Sequence, residues 1–514
     1  MHIAIEGCAH GELETIYKCI TELEADNNIK IDLLICCGDF QSVRNENDLR
    51  CMAVPPKYYN MCSFYKYYSG QLVAPVLTIF IGGNHEASNY LQELPFGGWV
   101  APNIYYLGYA GVVNYNGLRI GGISGIYKGR DYQKGHFECS PYGEGTKRSV
   151  YHIRNVEVFR LKQLTDELDV FLSHDWPTEI TKYGNEDQLL RFKPFFKDDI
   201  DRGNLGSPPC NELLHKLKPK YWFAAHLHCK FAALVPHEDG SATKFLALDK
   251  CVPKKRFLQV IDIPNKKDMA DCNNSLEYDL EWLAILRSTE NLTSTRNVTQ
   301  FLPSDVKSPG EDEKNQILSC FNNNLSIPCN FKATAPVYKP GTPAKGNIYQ
   351  PNLEVNSQTT EFCNKLGILD PTEELIRKNI DSSSQNMSSF QRNDDSVNDA
   401  SQTFIEDDSE VSQSESMNES GLLSSGFKRK SLVLPDVVNK SSDDIEQAAD
   451  EQLVAEMNVN QEMCAIVDDS AKESEENLDK SVEEKATLLN ANDDKPAVKK
   501  FKRRNASIYE QEDT

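Results

Sequence analysis

The chain is expected to adopt an α/β fold with sheets covered on both faces, and three observations carry that expectation. Short β-branched runs alternate with helical patterns through the first 260 residues. The runs are apolar almost without interruption, as in strands buried on both faces rather than one. They end in glycine followed by a polar cluster, so the polar clusters gather at one edge of the sheets.

Taken in order, "HIAIEG" reads as the first strand and "LETIYKCITELEADN" as a helix. The apolar runs "IDLLICCGD", "VLTIFIGGNH", "LRIGGISG", "VFRLKQL", "DVFLSHD", "YWFAAHLH" and "KFLAL" follow. The segment Tyr127–Asn155 breaks the rhythm: it is rich in Gly, Tyr, Lys, Arg and His and has no apolar period. A connection of that length inside a compact domain is usually functional or disordered. Later, "SLEYDLEWLAILRSTENL" reads as a helix with an apolar stripe of Leu276, Leu280, Trp282, Leu283 and Leu286. A proline-rich linker and a second helical piece, "TTEFCNKLGI", come next.

Bulk composition supports a soluble, partly folded protein. The 514 residues are 39% hydrophobic and 26% charged, with a formal net charge of −22. From Asp381 onward there are 31 acidic and 14 basic residues, a balance of −17, which leaves −5 for the first 380. The folded part is therefore near neutral, which argues against broad nonspecific binding of nucleic acid. Beyond about residue 380, Ser, Asn, Asp and Glu dominate and aromatics nearly vanish, so a disordered tail is expected over 376–514. Its basic cluster "KKFKRR", Lys499–Arg504, fits a nuclear localisation signal. No signal peptide is expected from residues 1–20, and no run approaches the roughly 18 apolar residues that cross a bilayer. Fifteen cysteines without framework spacing fit a reducing compartment, with Cys36 and Cys37 packing as small hydrophobes.

Five strand ends carry chemistry: "GCAH" (Cys8, His10), "CCGDF" (Asp39), "GGNHE" (Asn84, His85, Glu86), "LSHDW" (His174) and "AAHLHC" (His226, His228). Residues two apart on an extended segment point to the same side, so Cys8 with His10, and His226 with His228, form pincers suited to a metal. Singly, a histidine at a strand end is more often a hydrogen-bonded structural residue. The order and spacing of all five make the metal reading the sharper one.

These motifs resemble the calcineurin-like metallophosphoesterase superfamily, whose fold is a pair of β-sheets flanked by helices. Most of that superfamily has D-x-H at the first element, whereas this chain has C-x-H at Cys8 and His10. Cysteine there is characteristic of the RNA lariat debranching enzymes. The Tyr127–Asn155 insertion with "YHIRNVEVFRLKQL" resembles that family's lariat-recognition loop and its flank. "LEYDLEWLAILRSTENL" and "QTTEFCNKLGI" resemble its C-terminal domain. The resemblance covers about residues 1–375. It implies a metallophosphoesterase domain over 1–260, with the recognition insertion at about 127–155, and a C-terminal domain over 261–375.

Carried over residue by residue, the resemblance places one metal between Cys8, His10, Asp39 and His228. The resemblance places a second metal between Asp39, Asn84, His174 and His226, which makes Asp39 the expected bridge. Cys8 is either a direct ligand or a group beside the metal. A thiolate tilts the preference of two divalent ions toward Fe²⁺ or Zn²⁺ and away from Mg²⁺, with Mn²⁺ a substitute. His85 is expected to stabilise or protonate the leaving 2′-oxygen, or else to serve as a hydrogen-bond partner only. In the insertion, Tyr127, Lys128, Arg130, Tyr151 and Arg154 are the expected substrate contacts, pairing with phosphates and stacking on splayed bases. The implied reaction is hydrolysis of the 2′–5′ phosphodiester of excised intron lariats, linearising them for turnover. The expected partners are branched RNA and, through the tail, splicing or RNA-turnover proteins, with no membrane; the expected compartment is the nucleus. A metal-dependent phosphatase, or an inactive RNA-binding scaffold, is the alternative.

Overall fold

The computed structural model describes residues 1–264, 275–305, 307–341 and 347–389, with side chains to Ile380. The tail beyond 389 and its cluster Lys499–Arg504 lie outside the described residues. Among the described residues, no helix is long and apolar enough to cross a membrane, and the cysteines are free thiols.

Two sheets face each other. One has the order β12 (Leu258–Asp262), β1 (His2–Glu6), β2 (Leu33–Cys36), β3 (Thr78–Phe80), β5 (Ile104–Tyr106), β4 (Gly98–Ala101). The other runs β10 (Phe231–Pro236), β11 (Ala242–Ala247), β9 (Tyr221–Ala224), β8 (Val170–Ser173), β7 (Leu118–Ile123), β6 (Ala110–Tyr115), β13 (Leu276–Tyr278). Parallel pairs form the middle of each sheet, β1/β2/β3/β5 and β11/β9/β8/β7, with antiparallel strands at the edges.

Alternation explains why the strands read as unbroken apolar runs. Ile3, Ile5, Leu33, Ile35 and Ile79 point inward and meet Ile120, Val170, Leu172 and Phe223 of the second sheet. Ala4, Leu34, Cys36 and Phe80 point outward, where Leu13, Ile16 and Ile20 of the helix Leu13–Asn27 cover them. On the far side, Phe171 and Trp222 are covered by Val158 and Leu161 and by Leu213 and Leu214. Each such buried side chain contributes about 1.5–3 kcal/mol relative to an exposed one. Cys36 thus packs outward and Cys37 inward, as small hydrophobes do.

Four expectations need correction. "VFRLKQL" is not a strand: its first half belongs to the helix Asn155–Leu161, whose Val156, Val158 and Leu161 are buried. Leu276 does not belong to a helical stripe, because Leu276–Tyr278 adds to the free edge of β6 as β13. The helix starts at Leu280, where the Asp279 carboxylate accepts the Trp282 N–H (2.9 Å) as N-cap. The boundary at 260 falls inside β12, which pairs with β1. The tail boundary at 376 falls inside the helix Pro371–Ser389, anchored through buried Leu375.

The segment Tyr127–Asn155 is ordered. Residues 133–136 are stitched to the C-terminal region by Gln300 N–H to Gln133 C=O (2.6 Å), Gly135 N–H to Arg296 C=O (3.2 Å) and His136 N–H to Ser294 C=O (2.9 Å). Further along, Gln350 accepts the Tyr142 N–H and donates to the Tyr142 carbonyl, each at 2.8 Å.

Candidate metal centre

The polar clusters converge at the carboxyl ends of the parallel strands, where open α/β sheets place their ligands. Cys8 and His10 follow β1, Asp39 follows β2, Asn84 and His85 follow β3, His174 follows β8, and His226 and His228 follow β9. One donor atom from each of Cys8, His10, Asp39 and His228 lies within 4.8 Å of the others. His10 Nε2 stands 3.4 Å from His228 Nε2 and 3.6 Å from Asp39 Oδ2. On the other side of Asp39, Oδ1 is 3.3 Å from His174 Nε2, which is 3.3 Å from Asn84 Oδ1. The His226 ring lies beside His174, with centroids 5.0 Å apart. Asp39 therefore stands between two groups of donors, and the structure gathers all seven candidate ligands.

The route to that convergence differs from the extended pincers. β1 ends at Glu6 and β9 at Ala224, before the donors begin. His10 (φ 43°), Asp39 (φ 48°), His226 (φ 61°) and His228 (φ 49°) all adopt left-handed backbone. Non-glycine residues pay for that conformation and persist in it only where the surroundings over-determine it. The pairs consequently split: Cys8, His10 and His228 gather on one side of Asp39, and His226 turns to His174.

Two residues outside the expected ligand set enforce this arrangement. Glu86, buried, accepts N–H bonds from Phe40 (2.8 Å) and Gly83 (2.9 Å) through Oε1 and from Gln41 (2.8 Å) through Oε2. Its carboxylate thereby ties the Asp39 turn to the "GNHE" turn; burial, with Asp39 nearby, pushes its pKa up to about 7. The Cys37 carbonyl accepts from His174 Nδ1 (2.7 Å), which fixes the tautomer and directs Nε2 at Asp39 and Asn84. Close approach explains two glycines: a Cβ on Gly38 would fall 2.3 Å from His174 Nδ1, and one on Gly83 2.3 Å from Asp39 Oδ1.

Electrostatics suit a metal. Burial lowers His10 to about 4, His226 to about 3 and His228 to about 2, so these imidazoles are neutral, the form that ligates. Burial opposes the Asp39 charge, but His174 and His85 hold its carboxyl well below the usual range. Burial also opposes charge on His174, but Asp39 raises its pKa above the ordinary value. Burial raises the Cys8 thiol, whose Sγ accepts the His226 N–H at 3.2 Å. Asp39 Oδ2 is buried and makes no hydrogen bond within the usual limits, although His85 Nδ1 stands 3.3 Å away. Buried imidazole lone pairs facing a carboxylate and a sulfur form a donor set that fits a borderline-soft divalent cation.

His85 leans on the same carboxylate. Its N–H donates to Asp39 Oδ1 (2.8 Å), and its ring lies 5.4 Å from that of His10 with about a quarter of the side chain exposed. Asn84 turns into the buried side and His85 toward the open side of the centre.

The insertion reaches the centre at its root, where the Tyr127 N–H donates to Asp175 Oδ2 (3.3 Å), next to His174. Tyr127 and Tyr151 are half-buried, while Lys128 and Arg130 are exposed. Arg154 departs from expectation. It is fully buried, and its guanidinium donates to Glu138 Oε1 (2.6 Å), the Ser149 carbonyl (3.0 Å) and the Asp131 carbonyl (3.2 Å). Arg154 therefore braces the loop from inside. Tyr142 is likewise buried, its hydroxyl on Gln92 (2.6 Å). Arg154→Met is expected to strand the Glu138 charge and destabilise the fold by about 3–5 kcal/mol. Chemical denaturation checks this, and an unchanged stability would contradict the bracing role.

Comparison with known proteins adds the following. Residues 1–230 match the family model "Calcineurin-like phosphoesterase". Residues 240–371 match the model "Lariat debranching enzyme, C-terminal domain". Lariat debranching enzyme A of Xenopus laevis is 55% identical over 382 residues, covering 72% of this chain and 71% of that protein. Lariat debranching enzyme of Homo sapiens is 54% identical over 383 residues, covering 72% and 70%. The Arabidopsis thaliana protein of that name is 51% identical over 372 residues, covering 72% and 86%.

Proposed function

The chain belongs to the lariat debranching enzyme family, and from that premise we propose that the centre around Asp39 hydrolyses the 2′–5′ phosphodiester at the branchpoint of excised intron lariats. The protein is a metal-dependent phosphodiesterase acting on branched RNA. The observation that carries the site assignment is the gathering of Cys8, His10 and His228 on one side of Asp39, with Asn84, His174 and His226 on the other.

Cys8, His10, Asp39 and His228 would hold one divalent ion, and Asp39, Asn84, His174 and His226 the second. Bound there, the two ions would supply Lewis-acid polarisation of the scissile phosphate and activation of the attacking water. The residues of the chain do the rest. Asp39 offers one oxygen to each side, and Glu86 and the Cys37 carbonyl keep the donors in register. With Nδ1 turned to Asp39, His85 Nε2 is the ring atom that carries a proton to the leaving 2′-oxygen. Lys128 and Arg130, exposed at the base of the insertion, would meet phosphates, and Tyr127 and Tyr151 would take unstacked bases.

The thiol of Cys8 favours Fe²⁺ or Zn²⁺ in this centre, with Mn²⁺ as a working substitute and Mg²⁺ disfavoured. The test is to strip the protein of metal and add each ion in turn with a synthetic 2′–5′ branched RNA and a linear 3′–5′ control. Cleavage of the branch alone, restored by Fe²⁺, Zn²⁺ or Mn²⁺ and least by Mg²⁺, is the expected result. Equal rescue by Mg²⁺ would remove the role given to the thiolate, and no cleavage with any ion would remove the reaction. The nucleus is the compartment proposed, with Lys499–Arg504 as import signal and the acidic tail as a docking segment for splicing or RNA-turnover proteins.

A further inference from the structure

A basic turn adjoins the centre on the side away from the insertion. Between residues 249 and 256 the chain carries four cations, Lys250, Lys254, Lys255 and Arg256, against one carboxylate, Asp249. The turn joins β11 to β12, and the backbone bolts it to the turn that bears the first donor. Cys8 N–H donates to the Asp249 carbonyl (3.3 Å), Cys251 N–H to the Cys8 carbonyl (3.0 Å) and Gly7 N–H to the Phe257 carbonyl (3.0 Å). Lys254, Lys255 and Arg256 are exposed and Lys250 is half-buried.

Topology fixes where the turn stands. In the second sheet, β9 and β8 carry His226, His228 and His174, with β7 and its insertion beyond β8 and with β11 beyond β9. In the first sheet, β1 carries Cys8 and His10, and β12 lies outside it. The donors are therefore flanked by the insertion on one side and by the 250–256 turn on the other.

Resting on the reading that the substrate is branched RNA, we propose that the turn Lys250–Arg256 is a second RNA-binding surface, which takes backbone phosphates of the arm leaving the centre opposite the insertion. A branchpoint joins three chain arms, so an RNA seated with its 2′–5′ phosphate at Asp39 leaves the centre in more than one direction. A single recognition loop covers one of them. The turn offers cations without aromatic side chains at 250–256, which suits phosphates rather than bases. Its role is affinity and placement of the arm.

The test uses the full chain loaded with metal and a branched RNA bearing an uncleavable triazole at the 2′–5′ position. Binding is measured over a range of salt for the unaltered protein, Lys250→Gln/Lys254→Gln and Lys250→Arg/Lys254→Arg. The glutamine pair is expected to weaken binding several-fold and to make the plot of log affinity against log salt shallower by about 0.7 for each lost phosphate contact. The arginine pair should restore both. An unchanged affinity and slope in the glutamine pair would overturn the proposal, and so would an arginine pair as weak as the glutamine pair, which would mark a packing role. A parallel cleavage assay on natural branched RNA separates the two readings. If the unaltered protein cleaves the branch while the turn variants bind as it does, only the turn falls; if it does not cleave, the substrate reading falls and takes the turn with it.

Discussion

Asp39→Asn is expected to reduce branch cleavage by about 10²–10⁴-fold, corresponding to the loss of several kcal/mol of stabilisation supplied by a metal pair. The substitution keeps the shape of the side chain and removes its charge. Asp39 is the group both sides of the centre share: Oδ1 faces His174 and accepts the His85 N–H, while Oδ2 faces His10 and His85 Nδ1. An amide offers one acceptor oxygen and an NH₂ in place of the second, so one of the two donor groups must meet a hydrogen. It would thus lose its negative ligand, and metal content measured on the purified protein should fall together with activity. A variant that retains both metals and full activity would show that Asp39 bridges nothing. Stability is the control: because Asp39 raises the pKa of His174, melting of the variant is followed beside the unaltered protein, and a folded, metal-poor and inactive protein is the informative outcome.

How much of this was legible beforehand depends on where the causes lie. The strands that carry the site were legible because each is covered on both faces, and a run such as "LLIC" leaves a single-sequence reader little alternative. The donors were legible because they follow those strands directly. The conformation that brings them together was not. His10, Asp39, His226 and His228 sit in left-handed backbone with nothing local to demand it, since the bonds from Glu86 and the Cys37 carbonyl that shape the Asp39 turn and aim His174 come from elsewhere in the chain. A buried glutamate after "GNH" was the available signal for the first of these.

Arg154 shows the opposite failure. Among Tyr, Lys and Arg it reads as a ligand contact, and only Glu138 and Ser149, close in sequence but brought beneath it by the fold, turn it inward. β13 was misread because Leu276 satisfies a helical stripe as well as a strand, and the open edge of β6 decides between them. The turn at 250–256 escaped notice because its cations are unremarkable until the backbone of Cys8 is found bonded to it.

His85→Ala should leave metal content intact and lower kcat for the branch by about 10²–10⁴-fold, the range supplied by a positioned general acid. The difference from Asp39→Asn lies in what each residue touches. The His85 ring lies on the open side of Asp39, about a quarter exposed and outside the cluster of Cys8, His10, Asp39 and His228. Its loss removes a proton from the leaving 2′-oxygen without removing a donor from either side of the centre. The leaving group itself supplies the decisive control. A branched RNA analogue whose 2′-oxygen is replaced by sulfur needs little protonation to depart, so the variant should recover most of its rate on that substrate. Equal loss on both substrates, with metal retained, would assign His85 to holding Asp39 in place through its ring contact and not to acid catalysis. Loss of metal in His85→Ala would place it among the ligands. The backbone N–H to Asp39 Oδ1 survives the substitution to alanine, so a role confined to that bond predicts no loss at all.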